Sequence, residues 1–297
     1  MTEAAWPFGT YLTRAPSAQS GPRWAPAHVQ PGAGNSFFRV IAGIYTDILS
    51  PLPHFMPSPP RDVAHYIGGE LSLFEHATHW KAYYGGRLRP YLGGRVLEVG
   101  AGLGSTTRAL ADGRAADWLC LEPDAELAAH IGALLASGAL PVTYRLHVGT
   151  LADLPAAEGQ FDALLYINVL EHIEDDAAEL TGAYARLAPG GVLLIVVPAH
   201  QWLFGPFDAA IGHFRRYSRP QLRQVLPAGG RVHQLAYLDS LGLLGVAISQ
   251  LLLRQQYPNP AQIKFWDRTI VPVSRILDWL TGYNIGKSVL AVVEKPA

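Results

Sequence analysis

The chain has 297 residues, of which 49% are hydrophobic and 16% charged, and its formal net charge is −1. This composition supports a large buried core and excludes a generally disordered chain, while the lack of Lys/Arg runs argues against a nucleic-acid-binding surface. The single cysteine, Cys120, excludes an intrachain disulfide and suits the reducing cytoplasm.

Residues 1–65 are predicted to be an N-terminal extension. Residues 1 to about 35 are rich in Pro, Ala, Gly and Ser and indicate an irregular arm without the pattern of a secretory signal. Apolar residues at helical spacing predict an amphipathic helix over 36–49, and the prolines of 51–60 predict an extended connector. The extension can serve as a lid or as a contact between two copies in a homodimer, and both roles stay open.

Residues 70–84 have the spacing of an amphipathic helix, with one apolar side that includes Trp80 and Tyr84. Plain core packing of Trp80 and its neighbour Tyr83 is the alternative to a ligand-facing role. His76 and His79 lie three residues apart, but no third ligand of suitable spacing accompanies them. No metal site is therefore predicted.

A buried strand over 95–99 runs into a glycine-rich turn. Gly100, Gly102 and Gly104 let the backbone turn sharply and allow a ligand to approach it without meeting a Cβ atom. Ser105 and Thr106 are residue types that favour a helix N-terminus, where free amides can meet a polar ligand. The acidic Glu98, two residues before the first glycine, would repel a pyrophosphate but attract a cation.

Further apolar runs at 117–122, near 148, 161–167 and 187–198 alternate with helical patterns at 105–111, 125–135 and 175–187. Strands alternating with helices predict a parallel, doubly wound sheet, which binds ligands beyond the carboxyl ends of its strands. The residues expected at that edge are Glu98, Glu122, Asp153, Asn168 and His172. Glu122 follows Glu98 by 24 residues, a spacing that fits a strand-end acid that holds a ribose diol. A glutamate that merely ends the strand and faces solvent is the alternative.

The loop 199–218 follows the 187–198 strand and is dense in polar and aromatic groups, so it is the predicted substrate loop. His213 is the candidate base because histidine is the residue type suited to general acid–base catalysis near neutral pH. The predicted catalytic residues are His213, Tyr217 and Arg216. The alternative is that His213 and Asp208 stabilise the loop through a hydrogen bond. At least one of Arg215 and Arg216 is expected to be structural.

Residues 231–238 are predicted to form a strand, and residues 240–285 a helical insertion whose apolar run at 241–253 is too short to span a bilayer. Residues 288–294 are predicted to form the last strand.

The spelling E-x-G-x-G-x-G from Glu98 to Gly104 resembles motif I of the class I S-adenosylmethionine-dependent methyltransferases, of the type 11 and type 12 small-molecule groups. Asn168-Val-Leu-Glu-His172 and Leu187-Ala-Pro-Gly-Gly191 resemble later motifs in the same order. The resemblance covers residues 66–297 and implies a Rossmann-like, seven-stranded α/β sheet whose last strand runs antiparallel.

The resemblance implies S-adenosyl-L-methionine as the cofactor. The residues that it assigns to cofactor binding are Trp80, Tyr84, Glu98, Gly100, Ala101, Gly102, Ser105, Thr106, Glu122, Pro123, Gly149, Thr150, Leu151, Asn168, Val169 and His172.

The function that this implies is methyl transfer to an O or N atom of a small-molecule acceptor. An enzyme that instead cyclises the aminobutyrate chain of the cofactor would carry the same motifs. A cofactor-binding subunit without chemistry is disfavoured by the intact glycines and by Glu98 and Glu122.

Overall fold

Seven β-strands form one mixed sheet in the computed structural model, which describes residues 70–252 and 258–297. In chain order the strands are β1 (Gly94–Val99), β2 (Ala115–Glu122), β3 (Tyr144–Val148), β4 (Phe161–Ile167), β5 (Leu187–Pro198), β6 (Arg231–Leu238) and β7 (Ser288–Glu294). Their spatial order is β3-β2-β1-β4-β5-β7-β6. The predicted extension over 1–65, with its helix and its connector, lies outside the described residues.

Helices and short turns connect the strands. The helices are α1 (Glu70–Glu75), α2 (Thr78–Leu88), α3 (Ser105–Leu110), α4 (Ala125–Ala136), α5 (Asp176–Ala185), α6 (Pro206–Ala210), α7 (Arg219–Val225), α8 (Ser240–Ala247), α9 (Pro260–Phe265) and α10 (Val271–Leu280). α8 continues into a π-helical turn at Ile248–Leu252, and a second π-helical turn at Trp266–Ile270 joins α9 to α10.

Strands β1 to β5 pair in parallel, so their carboxyl ends meet at one edge of the sheet. Strand β7 lies between β5 and β6 and is antiparallel to both. The predicted fold class and the direction of the last strand are therefore confirmed. Alternating side chains pack on opposite faces: Val96 and Cys120 belong to one buried cluster, and Leu97 and Leu119 to the other.

The helix predicted over 70–84 is broken into α1 and α2, which corrects that prediction. The buried Lys81 ammonium donates hydrogen bonds to the carbonyl oxygens of Phe74 and Glu75, at 2.9 and 2.6 Å. These carbonyls end α1, and a cation stabilises the negative end of a helix. Burial lowers the pKa of Lys81 to about 8. Lys81 thus caps the end of α1 at the point where the helix is interrupted.

The insertion before β7 is anchored by buried carboxylates. Asp239 accepts hydrogen bonds from the Trp266 indole and the Ser274 hydroxyl, each at 2.6 Å. Asp267 accepts bonds from the amides of His79 and Trp80 at the start of α2. These long-range contacts hold the insertion against α2. Within residues 70–252 and 258–297, no helix has the length and apolar character needed to cross a bilayer.

Candidate functional site

The turn between β1 and α3 carries three glycines in the left-handed conformation. Gly100, Gly102 and Gly104 have φ angles of 66°, 57° and 70°, which strain any residue with a side chain. A Cβ atom on Gly102 would meet only the methyl carbons of Leu71 among the described residues, at 3.6 and 3.7 Å. Gly102 is itself buried, and Leu71 of α1 lies over it. A turn without side chains fits the close approach of the nucleoside cofactor that the motif implies.

Residues on either side of Gly102 hold the turn in place. The buried Ala101 donates its amide to the Leu121 carbonyl at 3.1 Å. Gly104 precedes α3 as its N-cap residue, so Ser105 and Thr106 lie inside the first helical turn. Their backbone amides belong to the helix N-terminus, where polar ligands find unpaired donors.

Glu122 ends β2 and faces the glycine turn. Its Oε2 accepts the Gly102 amide at 2.7 Å, and its Oε1 accepts the Asp124 amide at 3.0 Å. Burial raises the pKa of the Glu122 carboxyl, while these two amides lower it. Each carboxylate oxygen keeps a further lone pair, with which it can accept a hydroxyl of a ribose. The next residue, Pro123, is exposed.

The chain after β3 lies beside Glu122. The Gly149 amide donates to the Glu122 carbonyl at 3.0 Å. The Thr150 amide and hydroxyl both donate to Asp153 Oδ2, at 2.8 and 2.7 Å, and close a short turn. Leu151 is buried under this turn. Asp153 is thus used within its own turn, whereas the Gly149 amide joins this turn to the end of β2.

Glu98 lies inside the protein beneath the glycine turn. Its Oε2 accepts hydrogen bonds from the Thr107 hydroxyl at 2.7 Å and from the Trp118 indole at 3.0 Å. Burial raises the pKa of Glu98 to about 7, against the lowering effect of these two bonds. The carboxylate therefore stabilises the junction of β1, α3 and β2. Glu98 lies at the carboxyl end of β1, as expected, but it is buried, and its contact with the cofactor stays a prediction.

Trp80 and Tyr84 belong to the core, with exposed fractions of 7% and 1%. Their rings lie edge to face at 5.5 Å. The Tyr84 hydroxyl is 3.3 Å from the Thr106 hydroxyl in the first turn of α3. Core packing, the alternative left open for Trp80, thus describes what the structure shows, and Leu71 is the residue that lies over Gly102.

Asn168 and Val169 follow β4 and approach the glycine turn. Asn168 has a φ angle of 54° and donates its amide to the Val196 carbonyl at 2.7 Å. A Cβ atom on Gly100 would lie 2.6 Å from a methyl carbon of Val169, so the two turns pack tightly. The 3₁₀ turn Leu170–His172 comes next. This turn is thereby placed at the same edge as the glycines.

The loop 199–218 folds onto the turn that contains His172. The Phe214 amide donates to the Glu171 carbonyl at 2.8 Å. Nδ1 of His213 lies 2.8 Å from Asp208 Oδ1. Because the carboxylate can only accept, Nδ1 carries the hydrogen, and in the neutral imidazole Nε2 keeps a lone pair. The loop therefore presents the Nε2 atom of His213 next to His172, whose ring meets that of His213 edge to face at 4.6 Å.

Arg216 and Asp208 brace the loop. The Arg216 guanidinium donates to Asp208 Oδ1 at 2.8 Å, and its amide donates to the Gln201 side chain at 2.9 Å. Burial alone would raise the pKa of Asp208, but hydrogen bonds from His213 and Arg216 hold it below its ordinary value. Arg216 thus positions Asp208, and its predicted catalytic role is not supported by these contacts.

Tyr217 and Arg215 are directed to α5. The buried Tyr217 hydroxyl donates to Asp176 Oδ2 at 2.6 Å, and burial raises the pKa of the phenol. Arg215 forms an ion pair with the same Asp176 oxygen at 2.6 Å. These contacts do not support the predicted catalytic role of Tyr217, because its hydroxyl is enclosed and already bonded.

Glu171 was not among the predicted site residues. Its side chain is fully buried, and neither carboxylate oxygen accepts a hydrogen bond from another residue of the described chain. Oε1 lies 3.9 Å from Nε2 of His213, and burial raises the pKa of Glu171 to about 8. Its place directly before His172, just after a parallel strand, was the signal in the sequence.

Comparisons with known proteins agree with this geometry. Residues 97–195 match the family described as "Methyltransferase domain". The ubiquinone biosynthesis O-methyltransferase of Dinoroseobacter shibae is 37% identical over 128 residues, which cover 38% of this chain and 46% of that protein. The demethylmenaquinone methyltransferase of Tropheryma whipplei is 30% identical over 158 residues, covering 52% of this chain and 62% of that protein. The chain spans less than half the length of the first of these relatives.

Solved structures share the fold at low sequence identity. The YcgJ protein from Bacillus subtilis aligns with a TM-score of 0.50 and 16% identity, over 73% of this chain and 99% of its own. The [4+2]-cyclase SpnF aligns with a TM-score of 0.51 and 16% identity, over 80% of this chain and 98% of its own. The fold alone is therefore compatible with more than one reaction. The matched domain and these relatives support a class I S-adenosylmethionine-dependent methyltransferase, with S-adenosylmethionine as the cofactor.

Proposed function

We propose that the protein transfers the methyl group of S-adenosylmethionine to an O or N atom of a small-molecule acceptor. The observation that carries this proposal is the position of His213. Its Nε2 atom lies at the edge that also holds the glycine turn, and Asp208 fixes its orientation through a bond of 2.8 Å to Nδ1. The curated relatives named as methyltransferases of quinone biosynthesis support methyl transfer over cyclisation of the cofactor.

Cofactor binding is assigned to the ends of β1, β2 and β3. Glu122 would accept the ribose hydroxyls, and the backbone of Gly149 and Thr150 would border the adenine. Gly102 would let the amino-acid portion lie against the turn. Methyl transfer is an in-line displacement. Much of the rate enhancement can therefore come from holding the sulfonium and the acceptor atom close together and aligned.

The acceptor is assigned to the loop 199–218 and the turn that contains His172. An acceptor oxygen or nitrogen that carries a proton must lose it as the new bond to carbon forms. His213 is the group that we assign to this activation, through the lone pair of Nε2. Because the single cysteine is buried and unpaired, we place the reaction in the cytoplasm.

The test is to incubate the full chain with S-adenosylmethionine, first alone and then with catechol or a primary amine as a probe acceptor. Mass spectrometry would identify the sulfur product. A homocysteine-type product that forms only with an acceptor supports methyl transfer. A thioadenosine-type product formed with the cofactor alone would show cyclisation and contradict the proposal.

A further inference from the structure

A second kind of ligand fits the same edge of the sheet. Glu171, His172 and His213 each offer one donor atom, and the three atoms lie within 4.8 Å of one another. Two of the residues are half-buried, which leaves a route from solvent, and Glu171 is fully buried. Two imidazoles and one carboxylate are a ligand set that divalent transition metals use when an open position remains for a substrate.

The state of Glu171 points to a missing partner. A buried carboxyl ordinarily has a hydrogen bond or a countercharge, because its removal from water is otherwise unfavourable. Neither oxygen of Glu171 accepts a hydrogen bond from another described residue. The nearby cation, Arg216, is bound to Asp208 at 2.8 Å. The Arg216 guanidinium is thus directed to Asp208, and among the described residues no cation donates a hydrogen bond to Glu171.

The second layer of contacts suits a metal ligand. A metal-bound histidine commonly donates its other ring N–H to a carboxylate, which fixes the tautomer and aims the free nitrogen at the ion. In this structure, Nδ1 of His213 donates to Asp208 Oδ1 in this way, at 2.8 Å. Nε2 of the same ring faces Glu171 Oε1 at 3.9 Å, too long for a hydrogen bond. A cation between the two atoms would draw them together, since typical metal–ligand bonds are about 2.0–2.2 Å long.

We propose that Glu171, His172 and His213 bind one divalent transition-metal ion, of which Zn²⁺ is the representative, with an open position for an oxygen of the acceptor. This cluster is different from the pair His76 and His79 discussed under the sequence. There, Nδ1 of His79 is hydrogen-bonded to Asp267 at 3.1 Å. The inference rests on the proposed function for its chemical role, whereas binding of the ion can be measured without any acceptor.

The chemical role is activation of a hydroxyl. An acceptor hydroxyl bound at the open position would have a lowered pKa and lose its proton to water. The oxygen then forms its bond to the methyl carbon as the carbon–sulfur bond breaks, and S-adenosylhomocysteine leaves with the electron pair of that bond. In this arrangement, the Nε2 lone pair of His213 would bind the ion, and the ion would activate the acceptor hydroxyl. The acceptor class that this favours is a small molecule with an ionisable hydroxyl, which a metal ion can bind through one oxygen.

The test uses the full chain, stripped with a chelator and titrated with Zn²⁺ by calorimetry and with Co²⁺ by visible absorption. We expect one ion per chain. Glu171→Gln and His172→Gln should each weaken binding at least about tenfold. The matched control is His233→Gln, because His233 pairs with Glu294 in strands far from the cluster. Circular dichroism of the stripped variants would show that they remain folded.

Binding of less than one ion per chain, or binding that Glu171→Gln leaves unchanged, would overturn the proposal. The neutral, protonated form of Glu171 would then account for its burial. Turnover that continues unchanged in chelator would overturn the role of the ion in catalysis. Each of these results leaves the proposed methyl transfer standing, because that function is judged separately by the sulfur product.

Discussion

The carboxylate of Glu122 accepts the backbone amide of Gly102 across 2.7 Å, which joins the end of β2 to the glycine turn. The same carboxylate also accepts the Asp124 amide. Glu122 therefore orders the turn and, with its remaining lone pairs, can hold the ribose. One side chain thus connects the shape of the turn to cofactor affinity.

Replacing Glu122 by alanine should weaken S-adenosylmethionine binding by about 1–3 kcal/mol, because ribose hydroxyls and the Gly102 amide lose their acceptor. Calorimetric titration with S-adenosylmethionine or S-adenosylhomocysteine measures this loss. Glu126→Ala is the matched control, since the Glu126 side chain is exposed on the neighbouring helix. Equal affinity in both variants would remove Glu122 from the cofactor site.

Gly102→Ala should lower cofactor affinity by more than it lowers stability. Its φ angle of 57° costs a residue with a Cβ about 1–2 kcal/mol of strain. Gly113 has a φ angle of 81° and nothing within 4 Å of its added Cβ, so Gly113→Ala carries a comparable backbone strain away from the site. The two variants should show similar losses in denaturant unfolding, whereas calorimetry should show weaker binding only for Gly102→Ala. If Gly102→Ala and Gly113→Ala have the same cofactor affinity as well as the same stability, the turn does not contact the cofactor.

Glu98→Gln should change how stability depends on pH. Burial raises the pKa of Glu98 to about 7, so its protonated form is favoured in the folded state. Its contribution to stability is fully present below the unfolded pKa near 4.5 and is lost as pH rises through about 7. A shift of this size corresponds to about 3 kcal/mol at high pH.

Glutamine at position 98 can still accept from Thr107 and Trp118, and it cannot ionise. The unfolding free energy of Glu98→Gln relative to the parent chain should therefore rise between pH 5 and pH 8, as followed by urea unfolding. The exposed Glu126→Gln is the control, for which we expect no such trend. A flat difference between Glu98→Gln and the parent would show that Glu98 is not selectively protonated in the folded state.

His213→Ala should reduce turnover about 10²–10⁴-fold and leave cofactor affinity unchanged, whether Nε2 acts on the acceptor directly or through an ion. Steady-state rates and calorimetry on the same samples separate the two effects. His233→Ala serves as the control, because His233 bonds to Glu294 on β7. If His213→Asn retains most of the activity and His213→Ala mainly lowers the melting temperature, then His213 is a brace for the loop and not an activating group.

Local features of the sequence determined the sheet and the glycine turn. The 192–197 part of β5 was predictable because an apolar run that is buried on both faces leaves a continuous pattern along the chain. Gly100, Gly102 and Gly104 were predictable because positive φ angles select glycine at each position. The number of strands and the antiparallel direction of β7 followed from the resemblance to the methyltransferase family.

Contacts between distant residues were decided by the tertiary structure alone. Tyr217 is enclosed because Asp176, 41 residues away, accepts its hydroxyl. Glu98 points inward because the Trp118 indole, on the neighbouring strand, donates to it. Glu171 is buried beside the loop 199–218, and among the described residues neither of its carboxylate oxygens accepts a hydrogen bond. A residue's type and spacing show what it can bond to, but its partner is chosen by packing, which joins segments that have no common pattern in the sequence.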